Sequence, residues 1–231
     1  SFSKKILPSF IKNKKIYFYE TREFIMDVGT MKRLKQAKQI IKRDIFLKAN
    51  IEFKKPAFFL DRDGVINKEY KNLKFQDPTN FKNGILEGLK KIRKMGYLII
   101  VITNQSCIAK GFITEKKLHE LHNKMQLKLN KSNIYIDKIY YCPHHPEKGF
   151  KNEVKRLKII CSCRKPNNGL LTKAIKELNI NVQKSFFIGN SEEDYLCAKK
   201  TKIHFLKVGD KNFNFYGKSF NNLSEAVKSV I

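Results

Sequence analysis

From Ala57 onward the chain alternates short apolar runs with longer stretches whose apolar residues recur every three or four positions. The runs are Ala57 to Leu60, Tyr97 to Ile102, Ile139 to Tyr141, Ser185 to Ile188, which opens on a serine, and Ile203 to Val208, which is interrupted by His204 and Lys207. They lack a polar-out alternation, so each reads as a strand buried on both faces. Between them lie Gly84 to Met95, Thr114 to Leu129, Gly169 to Leu178 and Glu192 to Lys200, and Leu223 to Val230 follows the last strand. These stretches predict helices; in the first, Ile85, Leu86, Leu89 and Ile92 fall on one face. The alternation predicts an α/β fold, a Rossmann-like three-layer arrangement with helices on both faces of a parallel sheet. Functional groups in such folds gather at the carboxyl ends of the strands.

Residues 1–55 follow a different pattern. Lys14 to Glu20 reads as a strand, and Met31 to Ala49 as a basic helix with Leu34, Ala37, Ile40 and Ile41 at helical spacing. Pro56 then punctuates the chain. This places an N-terminal extension with linker at 1–55 and a main domain at 56–231.

Composition narrows the function classes. Apolar residues make up 42% of the 231 positions, enough for a sizeable core. No apolar run approaches the ~20 residues that span a bilayer, and Ser1-Phe2-Ser3-Lys4-Lys5 has no signal-peptide core, so a cytoplasmic protein without a membrane partner is expected. The chain begins without Met, which raises the expectation of a fragment or a processed piece. The net charge of +27 invites a nucleic-acid reading. Of the 48 basic residues, however, 41 are lysine and only 7 are arginine, and they spread along the whole chain. Base-reading surfaces exploit arginine's planar fork, so a solvated lysine surface is the better reading, with no nucleic-acid partner. Such a surface still steers anionic substrates.

The first apolar run leads into Asp61-Arg62-Asp63-Gly64. In an extended backbone, residues two apart point the same way, so Asp61 and Asp63 should enter one site. Gly64 permits a tight turn. Two carboxylates at a strand end suit metal binding, nucleophilic attack and proton transfer; a solvated turn is the plain alternative. The second run ends in Thr103-Asn104-Gln105-Ser106, whose polar groups suit phosphate oxygens as well as an ordinary turn. Arg164-Lys165 offers two cations for a phosphate. Gly189-Asn190-Ser191-Glu192-Glu193-Asp194 offers polar and acidic groups for a cation. Each is ambiguous alone; their order along the chain is not.

Five cysteines, an odd count without a signal peptide, argue against a disulfide framework. Cys142 and His144 form C-x-H, Cys161 and Cys163 form C-x-C, and sixteen residues separate His144 from Cys161. Three thiolates and an imidazole make a closed tetrahedral Zn²⁺ site, structural because no position is left for water. His145 is the alternative nitrogen ligand. The site would staple a loop poor in apolar residues and place Arg164 and Lys165 directly after its last ligand.

The strings FFLDRDGVIN, VITNQSCIAKG, IYYCPHHPE, CSCRKP and FFIGNSEED resemble the haloacid dehalogenase superfamily of phosphatases. Within it, they are most similar to the D-glycero-D-manno-heptose 1,7-bisphosphate phosphatases, with the likeness running from Ala57 to Val208. The resemblance implies a haloacid dehalogenase-type sheet without a large cap domain. It implies a Mg²⁺-dependent monoesterase acting on a small sugar bisphosphate, releasing the 7-phosphate during nucleotide-heptose synthesis. Asp61 would be the nucleophile that forms an aspartyl-phosphate, and Asp63 the general acid and base. Thr103 and Lys165 would hold the transferring phosphoryl group. Asn104, Gln105, Ser106, Arg164 and Ser191 would line the phosphate and substrate site. Mg²⁺ would be held by Asp61, the Asp63 carbonyl and Asn190.

Two departures from the pattern matter. Asn190 stands where relatives carry an Asp that ligates Mg²⁺, and it keeps an oxygen but loses a charge, so weaker metal affinity is expected. Asp194 matches a supporting position. Cys107 stands where Gly is common and reads as an inert packed thiol. The alternatives are a histidinol-phosphate phosphatase or a catalytically weakened binding module. The extension, with Asp27-Val28-Gly29-Thr30, resembles the tail of sugar-phosphate nucleotidyltransferases. It suggests the end of a once bifunctional chain, in which Asp27 is now idle. A monomer is expected.

Overall fold

The computed structural model describes residues 6–12, 26–42, 53–69 and 77–230. It divides into two compact units, Ser1–Phe53 and Lys54–Ile231. The first holds helices α1 (Leu7–Lys12) and α2 (Met31–Lys42). At the start of α2 the Thr30 hydroxyl accepts from the Arg33 N–H at 3.2 Å, and Asp27 accepts from the Gly29 N–H at 3.0 Å while pairing with Arg33. Asp27 here shapes a turn. The strand expected at Lys14 to Glu20 lies outside the described residues, as does the continuation of α2 toward Ala49.

The second unit carries six parallel strands: β1 (Ala57–Leu60), β2 (Leu98–Asn104), β3 (Lys138–Cys142), β4 (Phe186–Gly189), β5 (His204–Val208) and β6 (Lys218–Phe220). Their order is β3-β2-β1-β4-β5-β6. The direction of winding reverses between β1 and β4, which opens a crevice at their carboxyl ends. Helices α3 (Ile85–Lys94), α4 (Glu115–Asn130), α5 (Gly169–Glu177), α6 (Glu192–Lys200) and α7 (Leu223–Lys228) cover the sheet.

Strand alternation sorts the core into two layers. Phe58, Leu60, Ile99, Val101 and Ile188 pack under Leu89, Ile92, Met125 and Leu223. Ala57, Phe59, Ile100, Ile102 and Phe187 pack under Leu171, Ala174, Cys197 and Ala198. The apolar runs thus face two hydrophobic layers, as their pattern required.

Two differences from the sequence reading concern the ladder. β2 continues past Ile102, because Thr103 and Asn104 pair with Tyr141 and Cys142 of β3. The short edge strand β6 was not anticipated; it is polar (Lys-Ser-Phe) and owes its form to pairing with β5. No helix among the described residues is long and apolar enough to cross a membrane.

Candidate active site

β1 stops at Leu60, and Asp61 adds one more bond to the ladder, donating its N–H to the Ile188 carbonyl at 3.0 Å. The chain then turns rather than extends. The N–H groups of Ile66 and Asn67 return to the Arg62 carbonyl at 2.9 and 3.1 Å. Asp63 and Asp61 therefore share a site through a turn, not through strand alternation. Gly64 is required there: its φ is +85°, and a Cβ would come within 2.1 Å of the Asn190 amide.

The centre of the site is a buried acid–lysine–acid cluster. The Lys165 ammonium, 3% exposed, donates to Asp61 Oδ1 at 2.7 Å, to Asp194 Oδ1 at 2.6 Å and to the Ile102 carbonyl at 3.0 Å. Burial opposes the Lys165 charge, but Asp194 and Asp61 outweigh it and raise its pKa. Burial also pushes the Asp61 carboxyl up to about 7; Lys165 resists this, while the charges of Asp194 and Asp63 add to it.

Asp194 is fully buried and holds the loop after β4 together. Its Oδ2 accepts from the N–H groups of Asn190 and Ser191 at 3.1 Å each and from the Ser191 hydroxyl at 2.7 Å. Gly189 is needed for this fit, since a Cβ there would lie 2.4 Å from the Asp194 Cβ. Ser191 is thus engaged as the cap of α6.

Asn104 and Gln105 likewise bond within the site. The Asn104 amide clasps the Lys165 backbone, accepting its N–H at 3.0 Å and donating to its carbonyl at 3.1 Å. Gln105 is 1% exposed and donates to Asp63 Oδ2 and to Thr103 Oγ1, both at 2.8 Å. Both side chains position other groups of the site. Thr103 is buried beside them, whereas Ser106 and Arg164 remain partly accessible. Arg164 approaches the His144 carbonyl at 3.5 Å. Burial pushes the Cys107 thiol up to about 11, which fits an unreactive packed thiol.

The sequence reading gave no role to Arg62, the residue between the two carboxylates. It is 1% exposed, and its guanidinium binds Asp63 through Nε at 3.1 Å and through one terminal nitrogen at 3.0 and 2.8 Å. Asn67 adds a bond to Asp63 Oδ1 at 2.9 Å. Burial works against the Asp63 charge, but Arg62, Asn67 and Gln105 overcome it and lower its pKa.

These contacts leave a charge imbalance. Arg62 offsets Asp63, but Lys165 is shared between Asp61 and Asp194, so one negative charge stays uncompensated. The Asp63 carbonyl and the Asn190 amide take no hydrogen bond from the described residues. An all-oxygen donor set with surplus negative charge fits a hard divalent cation. Beside it a cavity of about 360 Å³ is lined by Gly64, Asn190, Lys68, Lys82, Lys211, Glu69 and Asp210.

In the zinc loop, Cys142, His144, Cys161 and Cys163 bring their donor atoms within 4.8 Å of one another. The three sulfurs are 3.2, 3.3 and 3.6 Å apart, and His144 Nδ1 is 3.2 Å from Cys163 Sγ and 3.6 Å from Cys142 Sγ. Zn–S bonds of about 2.3 Å in a tetrahedron require edges near 3.8 Å, so this donor set fits zinc with slight expansion. His145 falls outside the cluster.

Residues 48–217 match the family model described as "Polynucleotide kinase 3 phosphatase". A D-glycero-beta-D-manno-heptose-1,7-bisphosphate 7-phosphatase of Pasteurella multocida is 37% identical over 186 residues, covering 76% of this chain and 98% of that protein. The protein of the same name from Escherichia coli K12 is 38% identical over 148 residues, covering 64% of this chain and 75% of that one. This chain belongs to the heptose bisphosphate phosphatase family. A crystal structure of the D,D-heptose 1.7-bisphosphate phosphatase from B. bronchiseptica with magnesium and phosphate shares the fold. Its TM-score is 0.65 at 22% identity, covering 76% of this chain and 97% of that one. As a member of this family the chain is a phosphoric monoester hydrolase, and its parallel sheet carries the site at the strand ends, between β1 and β4.

Proposed function

We propose that this chain removes the 7-phosphate of D-glycero-D-manno-heptose 1,7-bisphosphate with Mg²⁺ as cofactor. The observation that carries the reading is Lys165, held between Asp61 and Asp194 at the open end of the sheet. Asp61 is the nucleophile: its one unpaired oxygen attacks phosphorus, and the phosphoryl group passes to the carboxylate. Lys165 and Thr103 hold the equatorial oxygens. Asp63 gives a proton to the leaving sugar oxygen and then takes one from water.

Mg²⁺ held by Asp61, the Asp63 carbonyl and Asn190 would neutralise charge on the phosphoryl group. It would also relieve the burial that raises the Asp61 carboxyl, keeping the nucleophile ionised at neutral pH. Asn190 supplies an oxygen without a charge, which supports weaker metal affinity than an Asp would give. Zn²⁺ on Cys142, His144, Cys161 and Cys163 would order the loop that leads into Arg164 and Lys165. The names of the relatives and the lysine-lined cavity beside Asn190 support a small anionic sugar substrate.

Phosphate release from the heptose bisphosphate, set against histidinol phosphate over a Mg²⁺ titration, tests the reading. Mg²⁺-dependent release from the heptose alone is the expected result. Preference for histidinol phosphate would overturn the substrate.

A further inference from the structure

Arg62 has a partner on its far side. Its second terminal nitrogen lies 3.1 Å from His122 Nε2, on α4. An arginine has donors only, so His122 Nε2 must accept and carry no proton; the ring proton sits on Nδ1. His122 is 6% exposed and packs edge-on against Tyr141, with ring centroids 6.0 Å apart. The titratable and charged groups that face it are Arg62, Asp63 and His119; burial leads, followed by Arg62, in pushing its pKa down to about 3.

The Arg62 guanidinium is therefore held on three sides. His122 takes one terminal nitrogen, while the other reaches both Gln105 Oε1 at 3.0 Å and Asp63. Three fixed acceptors leave the planar fork a single orientation. In that orientation Nε and one terminal nitrogen face Asp63.

We propose that His122 is a positioning residue for the phosphatase: as a neutral acceptor it orients Arg62, and through Arg62 it sets the direction of the Asp63 carboxylate. This rests on the reading of Asp63 as the acid and base. Loss of the acceptor lets the guanidinium rotate, and the carboxylate loses part of what stabilises its anion. Asp63 then sits less well for proton transfer.

The test compares His122→Leu, which removes the acceptor, with His122→Gln, which returns one near the Nε2 position. Both are measured for turnover of the heptose bisphosphate, with Asp63→Asn alongside. His122→Leu should lower kcat about tenfold with KM little changed. His122→Gln should restore most of kcat. Equal losses of kcat in the two variants would overturn the proposal, because they differ in the acceptor offered to Arg62. Wild-type turnover by Asp63→Asn would instead overturn the reading of Asp63 itself.

Should His122→Leu fail to fold, ¹⁵N NMR of the imidazoles in the unaltered protein decides. The His122 ring should remain neutral with a bare Nε2 down to about pH 5, well under the ordinary histidine pKa near 6.5. Titration of His122 near 6.5 would overturn the proposal.

Discussion

At the end of the sheet, Asp61, Lys165 and Asp194 satisfy one another within a frame set by β1, β2 and β4, and nearly every polar atom there has a protein partner. The zinc loop differs. Its three thiols and one imidazole have mainly one another, on a segment rich in lysine. The first cluster is held by the core and needs a cation only to balance charge. The second joins the core through Cys142 at the end of β3, with Cys161 and Cys163 packed beside it, and an ion would tie its loop down. The two meet at Cys163-Arg164-Lys165, where a candidate zinc ligand stands two residues from the central lysine. Lys165 has a second anchor in Asn104, which clasps its backbone independently of the zinc. Arg164 is anchored through its carbonyl, which accepts from the Asn167 N–H at 2.8 Å, while its side chain reaches the His144 carbonyl at 3.5 Å.

This contrast can be broken at several points. The largest effect is expected from Lys165→Met, which leaves Asp61 and Asp194 facing each other in a dry site. Activity should fall by about 10³-fold, and unfolding by denaturant should show a loss of about 3 kcal/mol. Cys161→Ser, or zinc removal by chelation, should cost less, about 10- to 100-fold in turnover. Far-UV circular dichroism should keep the signal of the sheet, since the two cores do not depend on the loop. A loss of all secondary structure would erase the distinction drawn between the clusters. Asn190→Asp should lower the half-saturating Mg²⁺ concentration about tenfold. Unchanged affinity would count against Asn190 as a ligand.

The smallest effect concerns pH. The folded Asp61 carboxyl titrates near 7, well above its value in an unfolded chain. A raised pKa means that the folded state holds the proton more tightly. Its contribution to stability is fully present in acid and is lost as pH rises toward and through 7. Without Mg²⁺, Asp61→Asn should therefore raise the melting temperature by about 3 °C at pH 8 and by less at pH 5. Added Mg²⁺ should shrink the difference. A lower melting temperature for the variant at pH 8 would show that Asp61 is not under this strain.

Much of this was legible in the sequence because strands and metal loops announce themselves locally. The apolar runs marked five of the strands, and the C-x-H and C-x-C pairs marked the four residues whose donor atoms come together. The contacts of Asn104, Gln105 and Ser191 within the site were not foreseen, for a common reason. A polar residue at a strand end looks the same whether it faces substrate or props up a neighbour, and only the three-dimensional path of the chain decides. Arg62 and His122 were missed because they are sixty residues apart, and neither belongs to a periodic or spaced pattern. The one available signal was an arginine lodged between two carboxylates and directly before a glycine turn. A cation there must be buried if its neighbours point into the site.

The central claim is that Asp61 carries the phosphoryl group. Acid-quenched turnover of substrate labelled with ³²P in the 7-phosphate tests this most directly, with the label mapped by peptide sequencing. The account predicts label on the peptide containing Asp61, lost in Asp61→Asn and accumulating in Asp63→Asn. Turnover that proceeds with no labelled protein, or with label on another residue, would contradict it.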